Sequence, residues 1–300
     1  MEQRGKEMNC IDQVITDQYA LYHGDAIEVL KGLPAQSVDY SIFSPPFASL
    51  YTYSNSPRDM GNCRSNEEFF EHFGFLIDEL LRVMKPGHNV SFHCMQFPAS
   101  KERDGFIGLK DFRGDLIRAF MDRGFIYHAE VVIWKDPATQ MQRTKALGLL
   151  HKTVRENACM SRQGLPDYLI TMRAPGDVVD RVKHTHENYP VNEWQKVASP
   201  VWMDINPSDT LQYQSARDSD DERHICPLQL GVIRRGIELW TNPGDVVLSP
   251  FGGIGSEPYV AVQMGRRAVA VELKDSYYRQ MVRNVQGANS QTADLFAEVA

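Results

Sequence analysis

Ser44-Pro45-Pro46-Phe47 brings together a hydroxyl, a stretch of backbone without N–H groups and an aromatic ring. Proline has no amide hydrogen, so Pro45 and Pro46 remove local donors and leave carbonyl oxygens as acceptors beside the Ser44 hydroxyl. Acceptors next to a flat ring suit a planar group that carries an NH2, such as the edge of adenine or cytosine. The same four residues also serve as a rigid turn at the end of a strand, and alone they do not choose between the two uses. A second stretch with chemical content is Ser249-Pro250-Phe251-Gly252-Gly253-Ile254-Gly255-Ser256, followed by Glu272. Its glycines permit positive φ and let backbone approach a ligand closely.

These residues need elements to hold them. The apolar run 38–43 reads as a buried parallel strand, and two prolines cannot continue its ladder, so the chain breaks as it leaves the sheet. Strand 19–23, helix 26–31, a turn through Gly32 and Pro34, and strand 38–43 form a βαβ-type unit, hence a parallel sheet. The following stretch 48–62 is too rich in Ser, Asn, Pro and Tyr for a regular element and long enough to suggest a functional loop. Asn66 is the expected cap of a helix whose apolar face carries Phe69, Phe73, Leu76, Ile77, Leu80 and Met84, stopped by Lys85-Pro86-Gly87. Strand 88–94, a polar segment 101–111, helix 112–123 and one long or two joined strands over 124–134 follow. The regular pattern returns at Pro227, with a helix through Ile233 and Ile237, strand 245–248, helix 257–264, strand 268–271 and a last helix 275–285. Residues 1–17 read as an arm or short helix, and the tail beyond Gly287 as frayed.

Strand, glycine loop, helix, strand and acid are the outline of a nucleotide-binding unit. The distance from Gly255 to Glu272 is close to the roughly 20 residues of dinucleotide folds, and an acid at that strand tip can take both ribose hydroxyls. However, no further phosphate-cradling glycine follows Gly255 and nothing basic sits beside it. That points to a nucleoside ligand without a pyrophosphate, S-adenosylmethionine rather than NAD.

Length and composition narrow the classes. Three hundred residues suit one large α/β domain with an insertion, or two small domains. No apolar run approaches the roughly 18 residues of a membrane span, and residues 1–7 lack the apolar core of a signal peptide. The five cysteines are scattered without a C-x-x-C pair, which argues against zinc or disulfide frameworks and for a reducing cytoplasm. A net charge of −7 does not announce a nucleic-acid binder. Between Lys135 and Arg173, however, seven Lys/Arg face three acids, a local excess of basic residues. A solvated face would also account for that imbalance. Trp194, Trp202 and Tyr213 are expected to pack a small core of their own within this segment.

Ser44-Pro45-Pro46-Phe47 taken with the loop from Ser249 to Ser256 resembles the amino-DNA methyltransferases, which modify adenine N6 or cytosine N4. The order of motifs resembles their β group: catalytic tetrapeptide, target-recognition region, then cofactor loop. The resemblance covers about residues 19–95 and 224–285 and is closest to stand-alone enzymes of prophage type. Two positions depart from the pattern: Ser249 replaces the usual acid, and Ser256 stands where threonine is common.

The resemblance implies an α/β fold, a methyltransferase Rossmann-like sheet with helices on both faces and a permuted motif order. Its halves would be 19–134 (catalytic) and 224–288 (cofactor-binding), flanking a target-recognition insertion at 135–223. It implies cofactor contacts from Asp25, Ser249, Phe251, Gly253, Gly255, Ser256 and Glu272, with Asp25 on the adenine amino group and Glu272 on the ribose. Ser44, Pro45, Pro46 and Phe47 would act on the target base, flipped out of double-stranded DNA. Tyr51, Tyr53, Arg58, Lys135, Arg143, Lys145, Lys152, Arg155 and Arg162 are the expected DNA contacts. No metal or membrane is expected, and a homodimer is in keeping with the group. N6 of adenine is favoured as target, with N4 of cytosine the alternative, although serine in the first motif position is more typical of the latter. A catalytically silent S-adenosylmethionine- or nucleic-acid-binding protein is the competing class, and RNA or a protein amide the competing substrates.

Overall fold

The computed structural model describes residues 8–46, 63, 65–144, 151–187, 189–212 and 227–299, with backbone only at 103, 141–144, 160 and 289–299. In chain order its elements are β1 (Asp12–Ile15), β2 (Tyr19–His23), α1 (Ala26–Gly32), β3 (Val38–Phe43), α2 (Asn66–Val83), β4 (Met84–Met95), β5 (Phe97–Ala99), α3 (Lys101–Asp104), β6 (Gly108–Lys110), α4 (Phe112–Met121) and β7 (Ile126–Ile133). They continue with α5 (Pro137–Thr144), α6 (His151–Asn157), β8 (Asp167–Arg173), α7 (Val191–Ala198), β9 (Val201–Trp202), α8 (Leu230–Trp240), β10 (Val246–Ser249), α9 (Ser256–Gln263), β11 (Arg267–Glu272) and α10 (Asp275–Val299).

Nine strands form one sheet in the order β1-β2-β11-β10-β3-β4-β8-β7-β9. The run from β2 through β11, β10 and β3 to β4 is parallel throughout. β8 lies antiparallel between β4 and β7, and β1 caps the opposite edge antiparallel to β2. Side chains on neighbouring strand positions go to opposite faces. Tyr40, Ile42 and Val247 join a core with α8, α9 and α10, while Phe43 and Leu248 join one with α1, α2 and α4. Both faces of the parallel strands are therefore covered, which explains why β3 is buried at every position.

β10 leads through α9 to β11 on one side, whereas β3 leads through α2 to β4 on the other. The chain order reverses between β10 and β3, and the crevice beyond their carboxyl ends is where open α/β sheets bind ligands.

Several local expectations are corrected. Ser65, not Asn66, caps α2, its side chain accepting from Glu68 N at 3.2 Å. Residues 12–15 of the expected arm are a strand, because β2 offers them an edge to pair with. The helix starting at Asp275 runs on past Gly287 to Val299. The segment 135–223 contributes β8 and β9 to the main sheet. Trp202 is buried against Ile133, Leu169 and the α8 face in the main core and makes no separate one; Trp194 is exposed, and Tyr213 lies outside the described residues.

Candidate active site

The glycine loop leaves β10 and is folded tightly onto its own surroundings. Gly255 N donates to Gly252 O at 2.7 Å, and Gly252 N to Val271 O at 2.7 Å, tying the loop to the end of β11. Gly255 has φ +95°, and a Cβ there would come within 2.9 Å of Met281 Cγ, so both conformation and space call for glycine. Gly253, at φ +52°, differs: a Cβ on it would meet nothing within 4 Å among the described residues, so this side of the loop is open towards them. Phe251 reaches across to Phe43 at the end of β3, ring centroids 5.8 Å apart.

Glu272 at the tip of β11 holds the loop. Its Oε2 accepts from Gly253 N at 2.8 Å and its Oε1 from Lys274 N at 2.7 Å. These contacts orient the carboxylate. Gly24 N donates to Glu272 O at 2.9 Å, bringing Asp25 to the same end of the sheet. Asp25 caps α1, its Oδ1 accepting from Glu28 N at 3.0 Å.

Ser249 Oγ and Ser256 Oγ are buried with no hydrogen-bond partner among the described residues. Buried hydroxyls rarely stay unpaired, so their presence in this loop fits a polar ligand that completes them. The glycine opening, the oriented acid and these two hydroxyls together suit S-adenosylmethionine. Sequence reasoning missed Glu257, treated only as the start of a helix. It is buried directly after Ser256, and burial pushes its carboxyl up to about 8, with the nearby charge of Glu272 adding to the rise. The glutamate at the mouth of a glycine loop was the available signal.

Across the switch point, Ser44, Pro45 and Pro46 leave β3, while Phe47 lies outside the described residues. Ser44 Oγ is 3.3 Å from His93 Nδ1 on β4. His93 Nε2 lies 2.9 Å from Asp167 Oδ2 at the start of β8, and Lys135 Nζ bonds the same oxygen. Asp167 is 1% exposed. Burial would raise its carboxyl, but the charges and hydrogen bonds of His93 and Lys135 outweigh that and hold it below the ordinary aspartate value. None of this chain of contacts was visible in the sequence, because its members come from four separate segments. Cys94, next to His93, has its thiol pushed far above the ordinary range by burial and by Asp167, which removes it as a nucleophile.

Of the expected DNA contacts, Lys135 is engaged by Asp167 at the site. Lys152 and Arg155 stand exposed on α6, Lys152 with Glu156 at 3.8 Å. Arg162 is half-buried, and burial lowers its guanidinium. Tyr51, Tyr53, Arg58 and Lys145 lie outside the described residues, as does the side chain of Arg143.

A run of parallel strands with a glycine loop and the Ser44-Pro45-Pro46 turn on either side of its switch point is an arrangement that suits a methyltransferase using S-adenosylmethionine. The chain belongs to the N6/N4 methyltransferase family of DNA methylases, whose family model matches residues 38–283. It is similar to the DNA adenine methyltransferase YhdJ of Escherichia coli K12, 25% identical over 93% of this chain and 86% of the relative. Its fold matches a putative DNA modification methylase from Thermus thermophilus complexed with S-adenosyl-L-methionine, at 22% identity, TM-score 0.64, and 90% and 97% coverage of the two chains. It also matches the cytosine-N4-specific PvuII DNA methyltransferase, at 16% identity, TM-score 0.62, and 92% and 93% coverage. The protein is a DNA methyltransferase with S-adenosylmethionine as its cofactor. No helix among the described residues is long and apolar enough to cross a membrane.

Proposed function

We propose that this enzyme methylates the exocyclic amino group of a base flipped out of double-stranded DNA, at N6 of adenine. The observation that carries this reading is the placement of Ser44-Pro45-Pro46 and the glycine loop at the carboxyl ends of the adjacent strands β3 and β10, joined through Phe43 and Phe251. Bound there, S-adenosylmethionine supplies an electrophilic methyl group whose S–C bonding pair stays on sulfur. The protein has to make a poor nucleophile adequate, because the amino lone pair is delocalised into the base. Ser44 Oγ and the Pro45 carbonyl accept the two N–H bonds and turn the lone pair towards the methyl group, while Phe47 stacks on the base. Fixed acceptors aimed where positive charge develops are electrostatic preorganisation, and alignment of the two reactants supplies most of the rest. Gly253, Gly255, Ser249 and Ser256 hold the methionine end, Glu272 the ribose and Asp25 the adenine edge of the cofactor. The exposed basic residues of α6 attract the phosphates.

Adenine rests on the long match to the Escherichia coli relative, named an adenine methyltransferase. Cytosine N4 is the second reading, favoured by serine at position 44 and by the fold shared with the PvuII enzyme, titled cytosine-N4-specific. Nucleoside mass spectrometry of treated duplex DNA tests both: N6-methyladenine supports the first, N4-methylcytosine the second. Labelled methyl appearing only in RNA or protein overturns both. Size-exclusion chromatography with light scattering tests the homodimer expected of the group.

A further inference from the structure

We infer that His93, backed by Asp167 and Lys135, is a positioning residue that fixes Ser44 as a hydrogen-bond acceptor and takes up the proton that leaves the target amino group. This rests on the proposed role of Ser44 and adds to it the source of its acceptor character.

A serine hydroxyl is both donor and acceptor, and nothing in the hydroxyl itself decides which face it shows to a base. Here the neighbours decide. Ionised Asp167 can only accept, so in the neutral form of His93 that precedes proton transfer the ring proton sits on Nε2 and Nδ1 is bare; the charged His93 that lowers Asp167 is the form that follows it. Ser44 Oγ–H then donates to Nδ1, and its lone pairs are left for the substrate. The 3.3 Å separation is long for such a bond, as catalytic hydrogen bonds often are before substrate tightens them.

Methylation of an NH2 group leaves the nitrogen with one proton too many. As that N–H bond breaks, its electron pair returns to nitrogen and the proton passes to Ser44 Oγ, while the original Ser44 proton moves to His93 Nδ1. The product is a neutral methylamino group, an unchanged serine and an imidazolium held against the Asp167 carboxylate. Charge and protons balance without a further reactant. Lys135 keeps Asp167 ionised, so the imidazolium rather than the carboxyl retains the proton.

Among the described residues, the charged groups meeting the imidazole are Asp167 from β8 and, on the same carboxylate, Lys135 from the segment after β7; Ser44 faces it from the end of β3. Three measurements on the intact chain test the relay. Nitrogen-15 NMR of the imidazole should show a protonated Nε2 and a bare Nδ1 in the wild type, and the opposite tautomer or a mixture in Asp167→Asn. Single-turnover methylation should fall about 10- to 100-fold in His93→Gln with cofactor affinity unchanged, and the acid limb of the wild-type pH profile should disappear. In a Ser44→Asp background, where the acceptor needs no help, the same His93→Gln change should cost less than about 3-fold. Circular dichroism and cofactor titration establish that each variant folds; if His93→Gln does not, Asp167→Asn carries the pH-profile test. An equal loss with and without the Ser44→Asp change, an unchanged acid limb, or a wild-type imidazole protonated on Nδ1 would each overturn the relay. A wild-type protein that methylates no DNA base would instead overturn the proposed function, and the NMR result would still judge the relay's geometry.

Discussion

Glu257 gives the cofactor loop a dependence on pH that can be worked out in advance. Its carboxyl moves from 4.5 to about 8 on folding, chiefly through burial. At about 1.4 kcal/mol per pH unit, that shift sets a ceiling of about 5 kcal/mol on the penalty for ionising it in the folded protein. Relaxation and water entry reduce the effective figure to about 2–3 kcal/mol, because real interiors respond more strongly than a dry medium. The sign follows from proton counts. Between pH 4.5 and about 8 the folded state keeps a proton that the unfolded state has lost. This group's contribution to stability therefore declines as pH rises through that window. Glu257→Gln keeps the shape and removes the charge. It should match the wild type within about 1 kcal/mol at pH 5 and exceed it by about 2–3 kcal/mol at pH 9. For a chain of this size about 2 °C accompanies each kcal/mol, so the melting-temperature difference should widen by about 4–6 °C across that range. Calorimetric titration should show the same order, with the variant holding S-adenosylmethionine better than the wild type above pH 8. A melting-temperature difference that stays flat from pH 5 to pH 9 would refute the reasoning, since it would mean that Glu257 ionises as freely folded as unfolded.

The remaining predictions concern the two loops and the basic helix. Ser44→Ala should lower single-turnover methylation about 100-fold or more while leaving cofactor affinity within about 2-fold, because the lost acceptor acts on the base alone. Glu272→Gln replaces the carboxylate that holds Gly253 N and Lys274 N, and should weaken S-adenosylmethionine binding about 10- to 100-fold by calorimetry. Gly255→Ala places a Cβ against Met281 at positive φ; a cost of about 1–3 kcal/mol in urea unfolding is expected, with cofactor binding lost. Lys152→Ala and Arg155→Ala should each reduce the slope of log affinity for duplex DNA against log salt by about 1, and an unchanged slope would remove α6 from the interface.

The contrast between what could and could not be read in advance follows from how each feature is encoded. The parallel core was legible because burial on both faces favours apolar-rich runs, and 246–248 and 268–271 show them locally, as does 38–43 despite the buried Asp39 and Ser41. The glycine loop and its tie to Glu272 were legible because both belong to one βαβ unit, where spacing along the chain stands in for spacing in the fold. The place of β8 in the sheet was not legible, since the long polar stretch between Ile133 and Asp167 carries no sign that the two ends pair in one sheet. That placement is also what conceals the relay. Asp167 reaches His93 only because β8 inserts antiparallel beside β4, with Met95 opposite Asp167. Lys135 reaches the same carboxylate because β7 closes the far side of β8, with Ile133 opposite Asp167. Counted along the chain, Lys135 belongs to a basic segment and reads as a phosphate contact. Counted across the sheet, it stands behind His93 and the Ser44 turn. In the proposed relay, the serine of Ser44-Pro45-Pro46 would gain its acceptor role from that second arrangement, since a hydroxyl lacks the fixed charge of an aspartate and must be told by its neighbours which way to point.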